Sequence, residues 1–344
     1  MLYVTTRSNQ DAFTAHRALT ESRGPDGGFY LPFYQPPFSG DDICALSGES
    51  FDACVAKVLN RLFGRKLTPW DVEFAVGRYP VRIRSVGQRI LMGECWHNPD
   101  RDIRHMVRGL SVLLGNKEGE PTLWTEIAVR IAIWFGLIAD IRGKGLLKDA
   151  DRVDISVVSG DFVSPISAWY ARSWGLPIGN IVCSCNENCN IWDLIHQGVF
   201  RTDGVAVVTR TPEADVVVPQ ALEHLICGCA DSREMGEYLD ALRRGGSFFP
   251  SEKMQSRLSD RFYVSVIGDR RMLETIPSVF ATRRYLLSPY DALAYAGLLD
   301  YRAKTGENRL SLILSEKSPG RDLETVAAAM GTTVEEMADY LEKM

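Results

Sequence analysis

Strand-like apolar runs alternate with helical patterns through the second half of the chain, and this order constrains the fold more than any other feature. The runs occupy 153–158, 181–185, 205–209, 262–267 and 310–315. Ser288 and Pro289 start one intervening helix as N-cap and first-turn proline, and Thr333 with Glu336 forms a capping box for the last helix. Such alternation predicts an α/β fold, with a mostly parallel sheet and helices on both faces.

The first 120 residues have a different pattern. Residues 49–63 and the segment that begins at Thr68 and Pro69 are helical, and strand-like runs are short. We therefore expect an N-terminal helical region over 1–120, which carries the remnant of an active-site helix identified below, and an α/β domain over 121–344. The apolar stretch 131–139 is about half as long as a bilayer span, which predicts a buried helix.

Composition limits the classes of function. The 344 residues are 45% hydrophobic, which is ample for a core. With 39 basic and 44 acidic side chains the net charge is −5, without the basic excess that nucleic-acid binding uses. The first residues lack an apolar segment behind a basic one. We expect a cytoplasmic protein with neither a nucleic-acid nor a membrane partner.

Eight cysteines are present, and we expect them to be reduced thiols. Cys183 and Cys185 lie two apart in a β-branched run, which places both on one face of a strand, whereas a zinc knuckle uses C-x₂-C on a turn. This spacing favours buried structural thiols. A metal site that also uses Cys189, Cys227 and Cys229 is the alternative, and we expect no metal.

Three segments carry a family resemblance in chain order. The first has TTR at 5–7 and RGPDGGFYLP at 23–32; the second, 157–200, begins VVSGDFVSP and includes an N-x-N turn at Asn186 and Asn188; the third joins LLSPYDALAYAGLLDYR and LSLILSEKSPGRDLETVAAAMG. Together they resemble threonine synthase, a pyridoxal-phosphate enzyme of fold type II. The resemblance covers nearly the whole chain and implies a tryptophan-synthase-β-like fold.

The family needs a lysine for covalent attachment of the cofactor, in a stretch of the form E-L-F-H-G-P-T-x-x-F-K-D. The matching stretch here is ECWHNPDRDIRHM, in which Glu94, His97 and Pro99 keep their places and Arg104 stands at the lysine position. A guanidinium stays protonated at physiological pH, so it cannot condense with an aldehyde. No lysine lies between Leu67 and Asn116. The resemblance therefore implies that the catalytic amine has been lost.

The phosphate-binding turn also departs from the family pattern. The family sequence S-G-N-F-G is replaced here by Ser159, Gly160, Asp161, Phe162 and Val163. A β-branched valine restricts the backbone, and an aspartate repels a phosphate at a helix N-terminus that would otherwise favour one. The alternative role of Asp161 is an ordinary N-cap for the helix that follows.

A domain's worth of sequence is missing relative to the family. After Leu113 and Leu114 the chain reads GNKEGEP and then at once TLWTEIAVRIAIWFGLIADI, which resembles a much later helix of the family. The resemblance thus implies that the small domain is largely deleted. Loss of a covering domain should expose apolar surface, so we expect a homo-oligomer whose interface uses helix 123–139 and residues 110–114.

A basic stripe accompanies Arg104. His97, Arg101, Arg104, His105 and Arg108 recur at near-helical spacings. One interpretation is an anion site on the ancestral cleft, and the other is a solvated surface neutralised by nearby aspartates. If Arg104 instead pairs inside the protein, its expected partners are Asp161 or Glu94. The candidate ligand-binding residues are His97, Arg101, Arg104, Ser159, Gly160, Asp161, Asn186 and Asn188.

Three further positions carry weaker indications. His196 and His224 are expected to be structural, since neither has a spaced catalytic partner. Glu316 stands where the family offers a hydroxyl to the pyridine nitrogen. These residues add no catalytic assignment.

The leading hypothesis is a threonine-synthase-like protein that is catalytically inactive, holds no cofactor and binds a small anion or a protein partner. The alternative is a pyridoxal-phosphate-dependent threonine synthase or related lyase that acts on O-phosphohomoserine, with the cofactor held non-covalently or by a distant lysine. A third hypothesis is a new cofactor-free activity on the same cleft.

Overall fold

The computed structural model describes residues 1–34, 38–77, 81–96, 101–116, 120–148 and 150–343. Its strands fall into three sheets, formed by β1 (Leu2–Thr5), β2 (Phe13–Thr14), β3 (Tyr30–Pro32), β4 (Arg82–Gly87), β5 (Ile90–Glu94), β6 (Val153–Val158), β7 (Ile178–Cys185), β8 (Phe200–Arg201), β9 (Ser247–Phe248), β10 (Tyr263–Val266) and β11 (Ser311–Ser315). The main sheet has the order β10-β7-β6-β11-β5-β4, a small antiparallel sheet has the order β2-β1-β3, and β8 pairs with β9. Within the main sheet only the edge pair of β4 and β5 is antiparallel.

The α-helices in the described part of the chain are α1 (Ala15–Thr20), α2 (Gly40–Leu46), α3 (Phe51–Phe63), α4 (Pro69–Val76), α5 (Ile103–Leu114), α6 (Leu123–Gly143), α7 (Val163–Ser173), α8 (Asn190–Trp192), α9 (Leu222–Cys227), α10 (Ser232–Arg244), α11 (Glu252–Ser259), α12 (Asp269–Arg283), α13 (Pro289–Thr305), α14 (Leu323–Met330) and α15 (Val334–Glu342). Short 3₁₀ turns occur at Pro212–Ala214 and Pro319–Asp322, and α8 continues into a π-helical turn at Asp193–Gln197.

Helices cover both faces of the main sheet, which confirms the predicted architecture. On one face α7 packs on β6 and β7, and α6 packs between α7 and α3. On the other face α13 crosses β6, β7, β10 and β11, with α12 beside it. The predicted N-caps Thr68, Ser288 and Thr333 each accept a backbone N–H bond from the third residue of their helix.

Helix α6 lies inside the protein, so its predicted role in an oligomer interface is wrong. Trp124, Trp134 and Phe135 are essentially inaccessible, and Leu110 and Leu114 of α5 are buried as well. The helix is apolar on every side because it has neighbours on every side, not because a covering domain has been lost. An oligomer remains a prediction, and within the stretch 110–114 Val112 is exposed and could still contribute to its surface.

The predicted strand at 205–209 is absent; this segment is an extended loop. The side chains of Val205 and Val208 are more than nine-tenths exposed. Its backbone bonds to side chains instead of to a strand: Val207 N–H donates to Asn188 Oδ1 over 2.8 Å, and Thr209 N–H donates to Asp215 Oδ2 over 2.9 Å. Hydrogen bonds to these side chains take the place of the backbone hydrogen bonds that a β-branched run usually forms with a neighbouring strand.

Eight residues, 115–122, join α5 to α6, which leaves no room for a domain at this point. The main sheet itself crosses the predicted boundary at residue 120, because β4 and β5 extend it beside β11. The division of the chain into separate domains over 1–120 and 121–344 remains a prediction. The N-terminal part contains the small antiparallel sheet in addition to its helices.

The cysteines are free thiols, and Cys183 and Cys185 are both buried in β7. Within the described ranges no three cysteine, histidine or carboxylate side chains come together as a metal site. Helix length and hydropathy in those ranges nowhere reach what a transmembrane segment needs.

Candidate functional site

A cleft of about 470 Å³ opens at the carboxyl ends of β6 and β11. Loops that follow neighbouring parallel strands meet at this edge, where α/β proteins usually bind ligands. The lining includes the turn 159–164 after β6, residues 316–317 after β11, Arg104 of α5, Glu126 and Arg130 of α6, the segment 212–216, and Tyr290 and Asp291 of α13.

The turn after β6 is tight and enters α7 without a side-chain cap. Phe162 N–H donates to Ser159 O over 2.7 Å, and both Gly160 and Phe162 have positive φ. Phe162 is the N-cap residue, so the predicted capping role of Asp161 is wrong. Asp161 precedes the cap by one residue, and its exposed carboxylate lies in the cleft. Desolvation by the cleft walls raises the pKa of Asp161, and the Arg130 and Arg104 guanidiniums oppose that shift.

Arg104 lies in the cleft, but its partner is neither Asp161 nor Glu94. Its guanidinium forms an ion pair with Glu213, which lies on the 3₁₀ turn at Pro212–Ala214. The side chain of Arg104 is 60% exposed. A guanidinium has five N–H donors, which is more than a pair with one carboxylate uses, so donors of Arg104 remain for a ligand.

Glu213 holds a second cation of the cleft. Its Oε1 lies 2.6 Å from Lys317 Nζ, and that lysine side chain is only 10% exposed. Lys317 also lies over the Tyr290 ring, 4.0 Å from its centroid, and the Tyr290 hydroxyl accepts the Glu213 N–H over 3.1 Å. Glu213 thus bridges α5 and the loop after β11 across the mouth of the cleft. Lys317 is the one lysine that lines the cleft among the described residues.

Asn186 and Asn188 position this bridge and do not line the cleft. Asn186 Nδ2 donates to Asp215 Oδ1 over 2.7 Å, and Asn188 Nδ2 donates to Asp215 Oδ1 over 3.0 Å and to Val207 O over 2.9 Å. Both asparagines are buried. Their side-chain amides form hydrogen bonds with the backbone of Val207 and with the Asp215 carboxylate. These bonds fix the segment 207–215 and with it the 3₁₀ turn that carries Glu213.

The floor of the cleft holds a buried arginine between two glutamates. Arg130 Nη1 lies 3.1 Å from Glu126 Oε2, and its Nη2 lies 3.4 Å from Glu316 Oε2. Ser164, in the first turn of α7, donates its hydroxyl to the other oxygen of Glu316. Glu316 therefore has protein partners on both oxygens.

Asp291 completes the floor as the third residue of helix α13. It accepts hydrogen bonds from Ser288 N–H and from the Ser315 hydroxyl. Burial raises the pKa of Asp291 to about 7, against the lowering effect of those bonds.

The other members of the basic stripe do not converge on the cleft. Helix α5 begins at Ile103 with Asp102 as its N-cap, so Arg101 precedes the helix and is not among the lining residues. Arg108 pairs with Glu120 on the surface. His97, and Pro99 with it, lies outside the described residues. The stripe thus contributes Arg104 alone to the described cleft.

The structure therefore brings together Arg104, Ser159, Gly160 and Asp161 of the predicted set. Sequence reasoning missed Glu213, Lys317, Arg130 and Tyr290 as parts of the site. Lys317 adjoins Glu316, which had been noted, but Glu213 lies in a polar stretch, TRTPEAD, that has no motif of its own.

The main sheet and its covering helices have the fold of solved threonine synthase structures. The structure superposes on pyridoxal-phosphate-bound threonine synthase from Brucella melitensis with a TM-score of 0.81 at 18% identity, over 96% of this chain and 92% of that one. Yeast threonine synthase gives a TM-score of 0.82 at 14% identity, over 98% and 94% of the two chains.

The sequence comparisons find similarity to threonine synthases and to threonine synthase-like proteins. Residues 2–78 match the family model described as "Threonine synthase N terminus". Threonine synthase-like 1 of Homo sapiens is 24% identical over 175 residues, which are 50% of this chain and 23% of that protein. Threonine synthase of Saccharomyces cerevisiae is 23% identical over 199 residues, which are 53% and 39% of the two chains. The sequence matches thus span a quarter to two fifths of the length of these relatives.

Proposed function

We propose that this chain is a non-catalytic threonine-synthase-like protein, which does not attach pyridoxal phosphate covalently and uses the cleft to bind a small zwitterion such as an amino acid. The observation that carries the first part is the Glu213 bridge. The resemblance assigns the position of the family lysine to Arg104, which is ion-paired to Glu213, and the lysine that does line the cleft, Lys317, is ion-paired to the same carboxylate.

The residues present do not fit pyridoxal phosphate held through a lysine. Arg104 cannot act as an amine nucleophile. Lys317 would first have to lose its proton and leave Glu213. The Asp161 carboxylate, in the cleft beside the turn, opposes a phosphate dianion there. These three features support a protein that has changed its ligand.

Charge favours a zwitterion over the small anion expected from the sequence. Three cations line the cleft, Arg104, Arg130 and Lys317, against five carboxyl groups, Glu126, Asp161, Glu213, Asp291 and Glu316. A ligand with only negative charge would meet this excess of carboxylates. A ligand with both charges would place its carboxylate on the free donors of Arg104 and its ammonium on a neighbouring carboxylate.

The cofactor part is tested by incubation with pyridoxal phosphate, reduction with borohydride and intact-mass measurement. We expect no stoichiometric pyridoxyl adduct on the native protein, and none on the Arg104→Lys variant, because that lysine would face Glu213 and the Asp161 turn would remain. A stoichiometric adduct on Lys317 of the native protein would instead support the alternative, a pyridoxal-phosphate-dependent threonine synthase or related lyase that uses a distant lysine.

The ligand part is tested by calorimetric titration with matched probes. We expect binding of L-threonine, loss of binding when its ammonium is acetylated, and loss when its carboxylate is esterified. Arg104→Gln should weaken the binding of L-threonine about ten-fold or more. Arg233→Gln, an exposed arginine on α10, serves as the control and should leave that binding unchanged. Failure of L-threonine and of the other common amino acids to bind the native protein would refute this part.

A further inference from the structure

The opposite edge of the main sheet carries a second cavity, also of about 470 Å³. Parallel strands begin at this edge. Arg89 immediately precedes β5, Arg152 precedes β6, and Arg309 stands two residues before β11. Helix α7 runs back from the cleft to this edge and delivers Arg172 in its last turn. The topology therefore brings four arginines from four separate elements around one cavity.

Among the described residues, most of these arginines have no ion-pair partner. Arg309 pairs with Asp154 over 3.6 Å and with Glu307 over 3.2 Å. By contrast, no carboxylate of the described residues lies within ion-pair distance of Arg89, Arg152 or Arg172. Burial and the neighbouring Arg152 charge lower the pKa of Arg172, and the Asp154 carboxylate opposes that shift without forming an ion pair with it. In a chain with net charge −5, like charges left together in this way call for an anion.

Asp151 also lines the cavity, and it accepts a hydrogen bond from Lys148 N–H at 3.4 Å. Arg302 lies beside the cavity. Its Nη1 and Nη2 groups donate hydrogen bonds to the carbonyls of Gln88, Arg89 and Arg309 and to the Ser311 hydroxyl. It stabilises the surrounding loops without adding a carboxylate. The described side chains that line the cavity therefore carry a net positive charge.

Two backbone features keep the cavity in this form. Arg89 occupies the left-handed region at φ 57°, in the turn between β4 and β5. A residue with a side chain is strained there, and glycine would be the ordinary choice for such a turn. Gly179 lies on the floor, where a Cβ would come within 2.3 Å of Asp154 Oδ1 and 3.4 Å of Arg309 Nη1. The strained backbone of Arg89 thus places an arginine at the rim of the cavity, and Gly179 leaves its floor free of a side chain.

We propose that this arginine-lined cavity at the amino ends of the strands is a binding site for a phosphate group, either as inorganic phosphate or on a small phosphorylated metabolite. A guanidinium can donate two parallel hydrogen bonds to two oxygens of one phosphate. The three arginines that have no ion-pair partner among the described residues therefore suit a dianion with three or four oxygens. The cavity has room for an organic group beside the phosphate. The site is separate from the cleft, since it lies at the other end of the same strands.

The test is calorimetric titration of the full chain at constant ionic strength with three probes: inorganic phosphate, glycerol 3-phosphate and acetate. We expect one phosphate-binding site per chain and no saturable binding of acetate to it. Tighter binding of glycerol 3-phosphate than of phosphate would assign the site to a phosphorylated metabolite, and the reverse order would assign it to the free ion. Arg172→Gln should weaken binding about ten-fold or more, whereas Arg104→Gln in the cleft and the surface control Arg233→Gln should leave it unchanged.

Arg89→Gly separates a binding role from a structural one and keeps the test valid if Arg172→Gln does not fold. Glycine relieves the strained turn, so the variant should unfold at a higher denaturant concentration while it binds phosphate more weakly. Unchanged phosphate affinity in both Arg172→Gln and Arg89→Gly would overturn the proposal. Equal weakening in the Arg233→Gln control would also overturn it, because it would show only general charge screening.

Discussion

Gly109 on helix α5 is predicted to be a position where the addition of one methyl group destabilises the protein although helix propensity favours it. A Cβ built at Gly109 would lie 2.2 Å from Ala75 O and 3.1 Å from Ala75 C, both backbone atoms of helix α4. An ordinary carbon–oxygen contact is longer by about 1 Å. The two helices would have to separate, or α5 would have to shift.

The magnitude follows from two opposing effects. Replacement of glycine by alanine within a helix gains about 0.5–1 kcal/mol in the free energy of unfolding. Overpacking against fixed backbone costs about 1–3 kcal/mol. We therefore expect Gly109→Ala to lose about 1–2 kcal/mol net. For a chain of this length that loss lowers the melting temperature by about 1–3 °C, since the unfolding entropy grows by about 2 cal/mol/K per residue.

Gly236→Ala is the matched control. Gly236 lies within helix α10, and a Cβ there would meet nothing within 4 Å. Propensity acts alone at this position, so the control should stabilise the protein by about 0.5–1 kcal/mol. Chemical denaturation followed by circular dichroism measures both variants. If Gly109→Ala is as stabilising as the control, the close approach of α4 and α5 described here is incorrect.

Two more predictions concern pH and association. Burial lowers the pKa of His224 from 6.5 to about 3. Below pH 6.5 the unfolded chain therefore binds a proton at this residue that the folded protein does not bind. The free energy of unfolding should fall by about 2 kcal/mol from pH 7 to pH 5 through this residue. Urea titrations should show that loss reduced in His224→Phe and retained in the exposed-site control His16→Gln; an unreduced loss in His224→Phe would contradict the prediction. Trp70 and Phe74 stack at 5.7 Å on helix α4 and are 65% and 76% exposed, so the double variant Trp70→Ser/Phe74→Ser should convert an oligomer to a monomer in light scattering. A native protein that is monomeric at all concentrations would refute an interface at this pair.

Much of the fold could be predicted from the sequence because its signals are local. The caps at Thr68, Ser288 and Thr333 depend on residues three positions apart, and they are all present in the structure. Four of the five apolar runs are strands, because their backbone groups find neighbouring strands within the parallel sheet. The run at 205–209 has the same composition, but Asn188 and Asp215 take its backbone bonds. Composition alone does not distinguish these two outcomes.

The candidate site was predicted only in part, because most of it depends on residues that are distant along the chain. Arg104 and the turn at 159–161 were found through the family pattern. Glu213 reaches Arg104 from more than 100 residues away, and nothing near either residue indicates the pair. The role of Asp161 was misjudged because Phe162 enters α7 in the left-handed conformation, which shifts the cap by one residue. The prediction of a buried helix over 131–139 is confirmed, whereas the interface expected on helix α6 is wrong, because the neighbours that cover this helix come from elsewhere in the same chain.

In the proposed function, Arg104 stands at the position of the family lysine, and the Glu213 bridge links that position to the rest of the cleft. Glu213 compensates two cations at once, Arg104 and Lys317, and its backbone is fixed through Tyr290 and the network around Asp215. A lysine returned to position 104 would therefore meet a carboxylate already in place, which favours its protonated, unreactive form. Removal of Glu213 as well would release Lys317 and leave the cleft with two amines beside a turn that still carries Asp161. Covalent cofactor chemistry would thus require coordinated changes on α5, on the segment 207–215 and on the turn after β6, and the present contacts are mutually consistent without it.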